Sequence, residues 1–376
     1  MAVTDLKALS SMTGTVLVAA LALPGLCPSP AHAENPPEQT TLAFKYLYYK
    51  EKQPGHDRIT VHAPAVSIEA PLGSQWSMSA TAVNDAVSGA SPRSYTYIPS
   101  RASMHDNRTA LNGSVTYYLP RSSYSFSLSR SKEHDYLSES AGLNASFSSD
   151  DHNTTWAVGA AVSKDTITSR ESASLHERKR TNEYLLGVTQ ALSQTDLIQF
   201  NVGFSVGAGY FSDSYKGDSR PRRREQLTQL LRWNHHVEPL DATLRASYRH
   251  YSDTWDLRSH TWQIEWVQNL NEQWQLTPLL RYYTQSAAYF YLDPVPGTHN
   301  SPDSDQEFLA TDQRLAAFGA RTMGVKVTCK FAKGWSTDLR GDWYEQRADW
   351  RAGGNGSPGL DPFKAMSVQW GLKRSY

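Results

Sequence analysis

The sequence reads as an all-β protein, a transmembrane antiparallel up-and-down β-barrel of about sixteen strands with short periplasmic turns and long extracellular loops. Three observations predict it. Segments of about nine to thirteen residues alternate apolar and polar side chains, the length that crosses a bilayer at a barrel's tilt. The connections between them alternate short and long. Tryptophans gather beside the short connections, on the apolar face, as they do at a membrane–water interface.

Taken in order, the chain opens with an export pattern. Lys7 supplies a short positive region, Gly14 to Leu23 an apolar stretch, and Ala31-His32-Ala33 a small-residue cleavage site. Residues 1–33 are therefore expected to leave as a signal peptide with cleavage near Ala33, taking Cys27 with them. The apolar stretch is too short to span a bilayer as a helix. Residues 34–40 read as a periplasmic lead and 41–376 as the barrel.

The strands are expected at 41–49, 59–71, 76–84, 109–119, 124–131, 140–147, 154–163 and 182–191. They continue at 197–210, 226–234, 242–251, 259–268, 274–284, 314–329, 335–345 and 365–376. In 197–210, Ile198, Phe200, Val202, Phe204 and Val206 share one face, and Gln199, Asn201, Gly203, Ser205 and Gly207 the other. In 259–268, Trp262, Ile264 and Trp266 oppose Thr261, Gln263 and Glu265. Pro64 and Pro278 each cost a strand one ladder donor. The 314–329 segment changes face between Phe318/Ala320 and Met323/Val325/Val327, which a β-bulge would reconcile.

Short turns are expected at 73–75, 120–123, 148–153, 192–196, 235–241, 269–273 and 330–334. Long loops are expected around 50–58, 85–108, 164–181, 211–225, 285–312 and 346–364, with briefer ones near 132–139 and 252–258. Loops of 85–108 and 285–312 are long enough to fold inward as a constriction. The Gly/Ser/Pro-rich stretch at 353–359 has linker composition and is expected to be mobile. Trp76, Trp156, Trp233, Trp266, Trp274 and Trp335 form one interfacial girdle, with Tyr48, Tyr210, Tyr282 and Trp343 marking the other. The last strand, with Trp370, Leu372 and the terminal Tyr376 on one face, reads as an insertion signal for the outer-membrane assembly machinery; only Arg374 interrupts that face.

Composition narrows the function. Hydrophobic residues make up 39% and mean hydropathy is −0.55, values that suit a barrel whose inner faces meet water. Lys+Arg and Asp+Glu balance at 37 each, so no global field attracts nucleic acid. Without Cys27, Cys329 stands alone and no internal disulfide can form. No Cys/His spacing suits a structural zinc site, and His134-Asp135 and His235-His236 belong to opposite ends of the barrel. No cofactor and no metal are expected.

Inward faces differ along the chain. Early strands offer Ser125, Ser127, Ser129, Gly159, Ala161 and Ser205; later ones carry Arg232, Arg245, Arg249, Glu265, Arg281, Asp338, Arg340 and Asp342. Such charges can set a transverse field and ion selectivity, or simply pair to stiffen the wall. The run Arg220-Pro221-Arg222-Arg223-Arg224 falls in a long loop without interleaved aromatics. Contact with lipopolysaccharide phosphates, or plain solvation, suits it better than nucleic acid.

Several stretches resemble a known family. They are Asp85 to Pro92 (DAVSGASP), Glu133 to Ser138 (EHDYLS), Leu240 to Thr243 (LDAT) leading to Ser247-Tyr248-Arg249, Trp255 to Trp266 (WDLRSHTWQIEW) and Arg281 to Phe290 (RYYTQSAAYF). Together they resemble the domain of unknown function 3570 family of Gram-negative outer-membrane β-barrel proteins, over about residues 41–376. The resemblance implies an outer-membrane barrel, an association with redox and flavin-transfer systems, and no catalytic residues.

The expected role is a porin-like conduit, or the barrel component of a redox- or flavin-associated envelope system, without enzymatic activity. The alternatives are an outer-membrane enzyme acting on lipid and a surface-binding barrel working through its loops. Expected partners are outer-membrane lipid and lipopolysaccharide, the insertion machinery, and a periplasmic redox protein or lipoprotein.

Overall fold

A computed structural model describes residues 35–90, 103–169, 174–213, 218–294 and 305–376. Residues 1–33, expected as a signal peptide, and the tip of the 85–108 loop lie outside the described residues. Sixteen strands form one closed antiparallel barrel. They are β1 (Thr41–Gln53), β2 (His56–Leu72), β3 (Trp76–Ala90), β4 (Ser103–Leu119), β5 (Ser122–Lys132), β6 (Tyr136–Ser148), β7 (Thr154–Thr168) and β8 (His176–Ala191). The second half comprises β9 (Asp196–Gly209), β10 (Arg223–Val237), β11 (Ala242–Asp253), β12 (Arg258–Asn269), β13 (Trp274–Gln285), β14 (Phe318–Ala332), β15 (Trp335–Arg347) and β16 (Phe363–Ser375). Each strand pairs with its chain neighbour, and β1 closes on β16 from Thr41↔Ser375 to Lys52↔Lys364. No sheet edge is left open, the condition for strands to cross hydrocarbon.

All sixteen expected strands are present. Most run further toward the long-loop end, where β7 reaches Thr168 and β8 starts at His176. The alternation fades there because both faces meet water or loops. The expected long loop at 50–58 is instead a tight hairpin between Gln53 and His56, with Gly55 at φ 77°. Below it Lys50 pairs with Thr60 and Lys52 with Asp57, so β2 carries one extra residue against β1. This bulge turns Arg58 onto the inner face beside Val61 and Ala63. Pro64 and Pro278 interrupt the ladder toward one neighbour only: β2–β3 pairing resumes at Ala65↔Val83 and β12–β13 pairing at Gln268↔Leu276, without a register change.

The bulge expected within 314–329 is absent. β14 pairs continuously with β13 from Phe318 to Cys329. Phe318 and Ala320 face inward and are 6% and 1% exposed, while Met323 and Val325 face outward at 53% and 47%. The apolar inward pair is covered by folded loops, so no change of face was needed. Arg314, assigned to the strand by its sequence, sits in a short 3-10 turn ahead of it.

At the short-turn end Trp76, Trp156, Trp233 and Trp274 are exposed on the outer face. Trp76 lies 4.6 Å from Tyr117, ring centre to ring centre. The Arg374 guanidinium sits over both Trp335 (4.8 Å) and Tyr376 (4.5 Å), so the charge near the end of the last strand's apolar face is laid across aromatic rings. Tyr376 N–H donates to Thr40 O at 3.0 Å, tying the terminus to the first strand. In the 149–153 turn, hydrogen bonds from Ser149 and Asn153 hold the Asp151 carboxyl at a pKa of about 2.

Candidate functional site

The inner space is walled by two unlike arcs. β5 to β7 present Ser123, Ser127, Ser129, Ser140 and Ser163, linked across strands by hydroxyl hydrogen bonds such as Ser129–Ser140 at 2.6 Å and Ser123–Ser146 at 2.7 Å. β13 to β15 stand eight places away in a ring of sixteen, and therefore diametrically opposite. Their arc carries charge.

Leu231, Ile264, Leu280 and Leu339 are exposed on the outer face, which sets the neighbouring Arg232, Glu265, Arg281, Asp338 and Arg340 on the inner one. Arg281 Nε donates to Gln263 Oε1 at 2.8 Å, and Gln263 Nε2 donates to Glu265 at 2.8 Å. Arg340 Nε donates to Asp342 at 2.8 Å, and Arg232 donates to Gln199 at 3.1 Å. Arg245 lies 3.9 Å from Glu265 and is half exposed, so water screens that pair. Arg249, Arg340, Asp342 and Glu265 all act electrostatically on Arg281. Pairing and a net cationic surplus thus coexist on β10 to β15: Arg224 pairs with Asp253 at the plugged end, and Arg232, Arg245, Arg249, Arg281, Lys326 and Arg340 face Glu265, Asp338 and Asp342.

The long-loop end is filled. Trp255 and Leu257 from the β11–β12 connection, Ala288 and Phe290 after β13, and Ala310 and Leu315 before β14 form one buried apolar cluster. Phe290 and Phe211 meet Trp255 edge to face at 5.1 and 5.4 Å. Trp255 Nε1 donates to Arg223 O, and the Arg224 guanidinium covers the indole at 4.0 Å. Phe211 also reaches Lys179 of β8, which pairs with Asp165 of β7 at 3.2 Å.

A strap, residues 308–317, crosses this end. Leu309 bridges Ser219 of the β9–β10 loop, while Gln313 accepts a 3.0 Å bond from Arg58 of β2 on the far side. Arg58 in turn lies 3.5 Å from Glu51, which accepts from Tyr49 at 2.7 Å. At the strap's centre, Asp312 (1% exposed) receives Arg220 at 3.0 Å and is chelated by Arg314. Arg220 also grips Asp218 at 2.8 Å. Burial opposes the Arg220 charge, but Asp218 and Asp312 more than offset it and raise its pKa. Burial pushes the Asp218 carboxyl up, with Arg220 pulling the other way.

Two expectations are corrected here. The 220–224 arginines are not a free anion-binding run: Arg220 pairs with Asp218 and Asp312, Arg222 with Glu177, Arg223 with Glu225 and Arg224 with Asp253. The 346–364 loop does not hang loose either. Ser357 and Ala317 exchange hydrogen bonds, Leu360 is buried, and Gly359 N donates to Asp293. A Cβ at Gly359 would meet Pro294 O, so glycine there permits close packing. The 285–312 loop, expected to fold inward, contributes Ala288, Phe290 and Ala310 to this cluster; Trp255 and Leu257 of the 252–258 connection escaped the sequence reading. His134-Asp135 and His235-His236 lie at opposite ends, and His235 instead meets Asp196 at 2.9 Å.

Across residues 13–97, 94–176 and 168–364 the sequence matches the family described as protein of unknown function, DUF3570. The chain belongs to that family. No curated protein matches it. Among solved structures it is similar to a bacterial polysaccharide outer membrane secretin (8% identity, TM-score 0.52), covering 90% of this chain and 98% of that one. It is also similar to CdiB from Acinetobacter baumannii (11%, TM-score 0.50), covering 88% of this chain but 60% of that protein. OccK1 (OpdK) from Pseudomonas aeruginosa overlaps 90% of this chain and 98% of its own (8%, TM-score 0.46). The first two likenesses show the fold: this family member is an outer-membrane-type β-barrel.

Proposed function

We propose that this barrel is a non-catalytic, anion-favouring conduit of the Gram-negative outer membrane, closed at its long-loop end by the folded plug. The carrying observation is the inner wall: the β5–β7 arc is lined by hydroxyls, its one carboxylate Asp165 paired with Lys179, while β10 to β15 carry surplus cations beneath the plug. A barrel of sixteen strands is wide enough for water unless loops fill it, and charges on one side set a transverse field. The export pattern and cleavage near Ala33 deliver the chain, and the final strand with Trp370, Leu372 and Tyr376 engages the insertion machinery. The lipid-facing girdles meet outer-membrane lipid and lipopolysaccharide.

Changing Arg245, Arg249 and Arg281 together to Gln shifts the reversal potential in a salt gradient toward cations. The shift shrinks as ionic strength rises, because the Debye length falls to about 3 Å at 1 M salt. An unmoved reversal potential with a lowered melting temperature makes the arginines wall struts and ends the selectivity claim.

In this orientation the plugged end faces outward. An epitope inserted at the exposed Gly354 is labelled on intact cells. Labelling only after the outer membrane is permeabilised reverses the topology.

A further inference from the structure

We propose that the strap at residues 308–317 is a gate, locked shut by an ionic latch centred on Asp312 and lifting from its apolar seat when the latch is broken. The inference deepens the conduit reading by assigning its regulation, and rests on that reading for its purpose.

The plug has two unlike halves. Trp255 and Phe290 form the apolar one, reinforced by the indole hydrogen bond to Arg223 O. Their segments are short and tethered: Tyr289 N donates to Trp255 O, and Ala288 N to Leu315 O. The strap is seated on this apolar half through Phe308, Ala310 and Leu315, and on Leu360 through Ala316. Its contacts across the mouth are polar. They are Asp312 to Arg220, and Gln313 to Arg58, with Leu309 and Ser219 exchanging backbone bonds beside the first.

Charge decides what holds the strap down. Asp312 lies between two arginines, the buried Arg220 and the partly buried Arg314. Asp213 and Asp218 face the same arginines, and Glu51 acts on Arg314 from β1. Removing the Asp312 charge leaves the buried Arg220 and the partly buried Arg314 guanidiniums side by side with fewer acceptors, and breaking a buried pair from one side is far costlier than never having made it. Lifting the strap returns both cations to water. The same ion set that stabilises the closed state therefore favours opening once one carboxylate is lost.

The alternative is a permanent plug held by the apolar cluster, indifferent to the latch. Accessibility of Ala310, which is fully buried under the closed strap, distinguishes the two without any current measurement. In the full chain carrying Cys329→Ser and Ala310→Cys, a membrane-impermeant maleimide reacts slowly. Adding Asp312→Asn raises the labelling rate by about a hundredfold, as expected when one side of a buried ion pair is removed. Arg220→Gln gives a smaller rise, because Asp218 and Arg314 keep partial pairing. In the Asp312→Asn background, joining Ser219→Cys to Leu309→Cys by a disulfide tethers the strap, with Ala310 probed by deuterium exchange of its amide instead. Protection returns, and reduction abolishes it. Heat-modified gel mobility confirms in each case that the barrel is folded. Labelling that stays at the parent rate in both Asp312→Asn and Arg220→Gln, with the barrel intact, overturns the gate. A silent bilayer recording with the labelling response preserved would count against the conduit and leave the gate standing.

Discussion

Ile264→Arg destabilises the barrel by about 2–4 kcal/mol, the cost of a cation near the midplane of a barrel's lipid face. Ile264 is 52% exposed, apolar, and flanked on β12 by residues of the opposite face. The control is Ser205→Arg. Ser205 lies on the inner face of β9, directly opposite Glu183 of β8. An arginine there gains a carboxylate neighbour and water instead of lipid, so urea titration in lipid vesicles finds little loss. Equal damage at the two positions contradicts the assignment of faces.

Trp255→Ala has the second large effect, and it acts on the plug rather than on the barrel. Truncating a buried tryptophan costs about 3–5 kcal/mol. Here it also removes the seat of Phe211 and Phe290 and uncovers Arg224. Only the first two residues of β10, Arg223 and Arg224, touch the indole, and no strand-to-strand hydrogen bond depends on it, so the barrel's own unfolding temperature stays near that of the parent. Proteolysis within 286–317 accelerates and conductance rises. A matching fall in barrel stability would mean that plug and wall form one cooperative unit.

The strands were legible because a bilayer enforces a strict division: Phe200, Val202 and Phe204 must face lipid while Gln199, Asn201 and Gly203 cannot. That constraint ends at the headgroups. Beyond it, Lys164 to Thr166 and Lys50 to Gln53 carry polar side chains on a continuing ladder, and they read as loop. The hairpin at Gln53–His56 was lost for the same reason. Phe318 and Ala320 misled in the opposite direction: their apolar character answers to the plug, a tertiary surface invisible in a strand's period. The inner charges follow from alternation, but their pairing does not. Arg281 to Gln263 and Arg340 to Asp342 depend on register, and Arg220 meeting Asp312 joins residues 92 apart in the chain. Linker-like composition at 353–359 likewise hid a segment whose glycines allow close packing against Pro294 and Ala348.

Single-channel recording in planar bilayers tests the central claim most directly, comparing the full chain with a form in which residues 287–316 are replaced by a two-residue turn. The account predicts small or brief openings from the full chain. The shortened form gives steady conductance steps several-fold larger, with a reversal potential on the anion side. Folded barrel in the bilayer and no conductance from either form would contradict it, and the protein would then be a scaffold rather than a conduit.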